Sequence, residues 1–247
     1  MWHFDSSWFA KKRILGNHEI GNRKNEMTNY HNLDRGIIIF NEEKNMVLEN
    51  KLGITNSAEL AREEEKISKK RAIELFETDL LDGLEAGTYS SLAEIHRFLF
   101  DEIFEFAGKI RTVNLAKGNF RFAPLMYLQM ALENIDKMPQ AAFDEIIEKY
   151  VEMNIAHPFR EGNGRSMRIW LDLILKKELH RVIDWSNVDK EDYLLAMERS
   201  PVRDIEIKHV LKEALTDEIY NRDIYMKGID ISYYYEGYTA FDIKDLR

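Results

Sequence analysis

A chain of 247 residues, 45% hydrophobic and 32% charged, has room for one large core and too much apolar content for general disorder. Its 12 glycines and 4 prolines are few for that length, which predicts long and mainly helical elements, and the lack of cysteine excludes disulfide frameworks, thiolate metal sites and thiol nucleophiles, as suits a reducing, cytoplasmic setting. A net charge of −9 argues against a surface that tracks nucleic-acid phosphates, and no apolar run approaches the roughly 18 residues of a membrane span, so neither nucleic acid nor membrane is expected as a partner.

Residues 1–45 differ from the rest, with seven asparagines, seven basic and six acidic residues, and no periodicity beyond the run Gly36 to Phe40. They read as an appendage, either disordered or lying before a native start at Met46, and the remaining domain, 46–247, then holds 28 basic against 38 acidic residues. From Ser57 to Leu81, charged and apolar faces alternate at helical spacing, with Glu65 and Lys69 as an i,i+4 pair. Ser91 with Glu94 forms a capping-box pattern ahead of the stripe Leu92, Ile95, Leu99, Ile103 and Phe106, which predicts a helix ending before Gly108. Arg111 to Pro124 changes character: the short runs Thr112-Val113 and Phe120-Arg121-Phe122 flank the turn signal Lys117-Gly118-Asn119, which fits a small hairpin. Helices follow over 126–137 and 142–155, the second with Phe143, Ile146, Ile147, Tyr150 and Val151 on one face. After Pro158, a helix from Asn163 runs through a stretch that is apolar on nearly all sides, the mark of a helix at the centre of a bundle. Two more are predicted over 190–199 and 204–227, the last closed by Gly228, before a short aromatic tail.

The segment from His157 to Arg168 carries the chemistry. Gly162 and Gly164 around Asn163, just before a helix, let backbone N–H groups meet an anion at the positive helix end. Arg165 adds a forked cation for phosphate oxygens, and Arg168 lies three residues on, near the same helix face. Glu161 is a hard oxygen ligand suited to Mg2+ on phosphates, and His157 is the side chain most easily poised as a base near neutral pH. Each piece alone has an ordinary structural explanation, and neither a GxxxxGK[ST] loop nor a third zinc ligand is present.

The whole stretch matches HxFx[DE]GNGRxxR and so resembles the signature of the Fic (filamentation induced by cAMP) family at all eight specified positions. The likeness runs from about Met46 to the C-terminus, because FAGKIRTVN (106–114) and KGNFRFAP (117–124) are similar to the family's segment before and within its flap hairpin. The resemblance implies an all-α Fic-type bundle with a small β-hairpin flap, and transfer of AMP from ATP, with Mg2+, to a Tyr, Thr or Ser hydroxyl of a target protein. Carried over position by position, it makes His157 the base and Glu161 the Mg2+ ligand. Gly162, Asn163 and Gly164 become the cradle of the α- and β-phosphates, Arg165 the contact to the β-phosphate and Arg168 the contact to the γ-phosphate. Flap residues Lys117, Gly118, Asn119 and Phe120 would line the nucleotide site and pair with an extended target segment.

The tail Ser232-Tyr-Tyr-Tyr-Glu236-Gly237 fits [ST]xxxE[GN] and resembles the inhibitory segment of Fic proteins that are silenced in cis, here over about residues 229–240. Ser232 and Glu236 would share one face of a helical turn, with Glu236 taking both prongs of the Arg168 fork from the γ-phosphate. The family alternatives are hydrolytic removal of AMP from modified proteins and a non-catalytic nucleotide-sensing module. Inhibited members of the family can also self-associate and modify their own tail tyrosines, which makes the chain itself a partner.

Overall fold

A helix begins where a short polar side chain supplies an acceptor for its first N–H groups. In the computed structural model, which describes residues 37–39, 47–78, 80–118 and 120–246, Asn56 does this for α1 (Ser57–Glu77), its Oδ1 accepting Glu59 N–H at 3.0 Å. After the single turn α2 (Leu80–Gly83), Thr88 caps α3 (Tyr89–Phe100) through Ser91 N–H at 3.2 Å. The cap thus falls three residues before the expected Ser91, and the helix stops at Phe100, so that Ile103 and Phe106 extend the apolar stripe from turns. The first helix likewise ends at Glu77, where Thr78 turns extended, and not at Leu81.

The hairpin is present as β2 (Leu115–Lys117) and β3 (Phe120–Arg121), and β1 (Ile37–Ile39) pairs antiparallel with the outer edge of β2, placing Ile38 opposite Ala116. The rest of the segment read as an appendage lies outside the described residues. Helices α4 (Leu125–Asp136) and α5 (Phe143–Ala156) follow, then α6 (Asn163–Leu179). As its all-round apolar middle predicts, α6 is largely buried from Asn163 to Leu175, packed on α3 and α5 with Trp170, Leu171, Ile174 and Leu175 fully enclosed.

The last third is more broken than the sequence pattern suggests. Strand β4 (Val182–Ile183), a 3-10 turn (Trp185–Asn187) and α7 (Lys190–Arg199) are followed by α8 (Ile205–Glu213), β5 (Leu215–Thr216) and α9 (Arg222–Tyr235), with a final 3-10 turn at Ile243–Leu246. The single helix expected over 204–227 is therefore two. Pairing of β5 with β4, and the bond from Asp184 N–H to the Ala214 carbonyl at 2.8 Å, draw residues 214–216 into a two-stranded sheet. Gly228 does not stop a helix. It sits inside α9, where a Cβ would stand 3.1 Å from the Trp185 ring, so its role is close packing. Helix α9 then reaches Tyr235 and lies against α1 and α6, with Glu236 as its cap residue and Gly237 left-handed just beyond, at φ +92°. Among the described residues no helix is long and apolar enough to cross a membrane.

Candidate active site

Helix α5 ends at His157 in the left-handed conformation (φ 48°, ψ 64°), unusual for a residue with a side chain. The loop after it is closed on itself by Asn163, whose amide accepts Phe159 N–H at 2.9 Å and donates to the Phe159 carbonyl at 2.8 Å. Gly162, at φ +74°, opens α6, and a Cβ there would lie 2.6 Å from the Phe100 ring. Beneath the loop, Gly108 N–H donates to His96 Nδ1 at 2.9 Å, which leaves the Nε2 proton of His96 for the Glu161 carbonyl at 2.8 Å. Burial pushes His96 down to about 3, so it remains a neutral ring holding the backbone of Glu161.

The His157 ring is 7% exposed and stacks on Phe122, at the exit of the hairpin, with centroids 3.7 Å apart. Burial pushes it down to about 3; the Asn154 carbonyl opposes this weakly, and the charges of Arg111 and Lys117 add to it. Neither ring nitrogen makes a well-formed hydrogen bond. The side chain is therefore uncharged at neutral pH, with a lone pair able to take a proton.

Arg165 is 1% exposed and meets three carboxylates: Nη1 is 2.7 Å from Glu64 of α1, Nη2 is 3.0 Å from Glu161, and Nε is 2.9 Å from Glu236. The rings of Tyr238, Phe100 and Tyr233 face its guanidinium at 4.6, 4.9 and 5.2 Å. Burial pulls Arg165 down, but the Tyr238, Glu64 and Glu236 oxygens outweigh it and hold the cation above its ordinary range. Glu64 is pushed up to about 7 by burial, with Arg165 opposing and Glu161 and Glu236 adding to the rise. Arg168 is held from α9: Nε donates to Ser232 Oγ at 2.6 Å, and Nη2 donates to the Ser232 carbonyl at 2.9 Å and to Glu236 at 2.7 Å. Glu236 thus places one oxygen on each arginine, where the sequence reading expects both on Arg168. Its carboxylate lies against the first turn of α6, where a Cβ on Gly164 would be 2.2 Å from Oε1. Those first-turn N–H groups have no acceptors within the helix.

Glu161, Gly162, Asn163, Gly164, Arg165, Arg168, Ser232 and Glu236 therefore meet at the start of α6, with His157 at the other end of the loop that Asn163 closes, and Gly237 closes the helix that delivers Ser232 and Glu236. On the hairpin, Lys117 is exposed, Gly118 takes φ +57°, and Phe120 packs edge-on against Phe122 at 5.2 Å; Asn119 lies outside the described residues. Three participants escape sequence reasoning: Glu64, His96 and Arg111, the last 3% exposed and bonded to the His157 carbonyl. Glu64 sits in the run Arg62 to Lys66, which reads as a solvated face; it is buried together with Glu65, and its contact with Arg165 sets it apart.

A carboxylate and two buried guanidiniums at a helix N-terminus, one loop on from a neutral histidine, have the chemistry to hold an anionic ligand. Residues 87–175 match the Fic/DOC family model, and the chain carries a Fic/DOC family domain. It is 31% identical over 192 residues to "Protein adenylyltransferase VbhT" of Bartonella schoenbuchensis, an alignment covering 72% of this chain and 39% of that one. It is 26% identical over 185 residues to "Probable protein adenylyltransferase Fic" of Salmonella typhimurium, covering 69% of this chain and 88% of that one. The fold is similar to that of BepC, a VirB-translocated effector of Bartonella tribocorum solved with AMPPNP bound, with TM-score 0.59 at 18% identity over 70% of this chain and 94% of that one. The chain spans well under half the length of VbhT.

Proposed function

We propose that the chain is a protein adenylyltransferase, transferring AMP from ATP to a hydroxyl side chain of a target protein and inhibited in cis by Glu236. The observation that carries this reading is the bridge from Glu236 to Arg165 and Arg168 at the start of α6, one loop on from a neutral His157. A carboxylate there stands in for phosphate oxygens. With Glu236 displaced, the target hydroxyl oxygen attacks the α-phosphorus as its proton passes to a ring nitrogen of His157, and the bond to pyrophosphate breaks in line. Arg165 and Arg168 hold the leaving phosphates. Glu161 fits a Mg2+ ligand: it is a hard, partly exposed carboxylate at the loop that opens α6, where it would hold the ion against the phosphates. When bound, that ion would neutralise phosphate charge. While Glu236 holds both guanidiniums, a triphosphate cannot take the pose in-line attack requires. The names of the related adenylyltransferases and the AMPPNP held by BepC support this reading. Incubation with labelled ATP and a cell lysate tests it: AMP on protein, strongest with Glu236→Gly, is the expected result, and pre-adenylylated protein losing AMP instead would favour the hydrolytic alternative.

A further inference from the structure

Arg111 is a cation enclosed in the protein without an acidic partner: among the described residues no carboxylate lies within ion-pair distance of it. A core position needing only volume would be served more cheaply by an aliphatic side chain, because a buried charge requires compensation. The compensation here is backbone oxygen, drawn from three segments. Nε donates to the His157 carbonyl at 2.8 Å, Nη1 to the Val113 carbonyl at 2.7 Å, and Nη2 to the carbonyls of Ala123 and, at 3.2 Å, Ala156. Its own N–H donates to the Pro158 carbonyl at 2.8 Å. Ala156 and His157 end α5, whose last carbonyls lack helical donors and favour a cation. Val113 and Ala123 are the two feet of the β2–β3 hairpin.

One planar fork therefore fastens both feet of the flap to the backbone of the base. The ring stack of Phe122 on His157 and the bond from Ala123 N–H to the Ile155 carbonyl at 2.9 Å complete the joint. We propose that Arg111 is a positioning residue for the transfer reaction, fixing the distance between the flap that aligns an incoming target segment and the histidine that takes its proton. This rests on the adenylyltransferase reading. Arg111 touches neither ATP nor target; it acts through His157 and the flap. A lysine cannot replace it, since a point charge on a flexible stem has no planar fork to satisfy four carbonyls at once.

The test uses the full chain with Arg111→Lys, which keeps charge and loses the fork, and Arg111→Met, which keeps bulk and loses both. Two measurements do not depend on activity. Amide exchange over residues 115–122 should quicken by about ten-fold or more in both variants, beyond any change elsewhere. The His157 imidazole, assigned against His157→Ala, should titrate nearer the ordinary histidine range in Arg111→Met but stay low in Arg111→Lys. The third measurement is self-labelling and target labelling in a Glu236→Gly background: kcat should fall about 10- to 100-fold with the KM for ATP changed less than about two-fold. Flap exchange and His157 titration that match the parent in both variants, with only a lower melting temperature, overturn the proposal. An equal loss of ATP affinity and turnover overturns it as well. A Glu236→Gly parent that labels nothing contradicts the adenylyltransferase reading, while the exchange and titration still decide whether Arg111 joins flap and base.

Discussion

His157 is a base kept neutral by burial, and that has a thermodynamic signature. Its folded value of about 3 lies below the 6.5 of an unfolded chain, so between those values the unfolded state binds the extra proton and stability falls as pH drops below 6.5. At pH 5 this amounts to about 2 kcal/mol for His157, and buried His96 adds a similar loss. Buried Glu64 and Asp172, both held up to about 7, act in the opposite sense over the same range, so the expected result is a difference: between pH 7 and pH 5 His157→Ala should lose about 2 kcal/mol less stability than the parent, read by parallel melts. The same variant should lose transfer about 100- to 10,000-fold while binding ATP nearly as well as the parent, because the base acts on the incoming hydroxyl. Undiminished labelling would remove His157 from that role. Arg165 is bound to the fold as well as to the ligand. Arg165→Ala removes the charge that opposes the rise of Glu64, so that carboxyl takes up a proton at neutral pH, stays buried beside the space left by the guanidinium, and lowers the melting temperature. The double change Arg165→Met with Glu64→Leu should recover most of the melting temperature and none of the ATP affinity, read by thermal melts and calorimetric titration. The motif from His157 to Arg168 is legible in the sequence because its members are neighbours on one loop and one helix turn. Arg111, His96 and Glu64 meet His157, Glu161 and Arg165 from 46, 65 and 101 residues away, and nothing in their local spacing separates them from polar residues on solvated faces.

At the scale of elements, helix existence follows from periodicity, while helix ends follow from which side chain finds an N–H first. Thr88 outcompetes Ser91 as the cap of α3, and the β4–β5 pairing splits the helix expected over 204–227, a long-range contact that local pattern cannot carry. Gly228 shows the same limit: the freedom that suggests a helix stop is used to admit Trp185. The flap carries a third strand, because β1 covers the edge of β2. Deleting residues 1–45 should leave a cooperatively folding domain with its melting temperature nearly unchanged and faster amide exchange at residues 115–117, since the bundle is built from residue 57 onward. Loss of cooperative unfolding would make that segment part of the core.

For the whole molecule, the inhibitory helix and the nucleotide site share a foundation in α1. Glu64 holds Arg165, Ser68 accepts from Tyr233 of α9 at 2.7 Å, and buried Lys69 joins Glu65 at 3.0 Å, Asp230 at 2.8 Å and the Phe241 carbonyl. Helix α9 is thereby anchored along its length on the element that supports the arginine it competes for. Competition of this kind is reciprocal: if Glu236 weakens the binding of a triphosphate, a triphosphate must loosen the end of α9. Saturating ATP should accelerate amide exchange over residues 230–237, and ADP, which lacks the γ-phosphate, should do so less. The central claim is that Glu236 withholds Arg168 from ATP, and side-by-side labelling of the parent, Glu236→Gly and Arg168→Ala tests it most directly. The account predicts that Glu236→Gly transfers more AMP than the parent while Arg168→Ala does not, although both break the same pair; Glu236→Gly with no gain over the parent would contradict it.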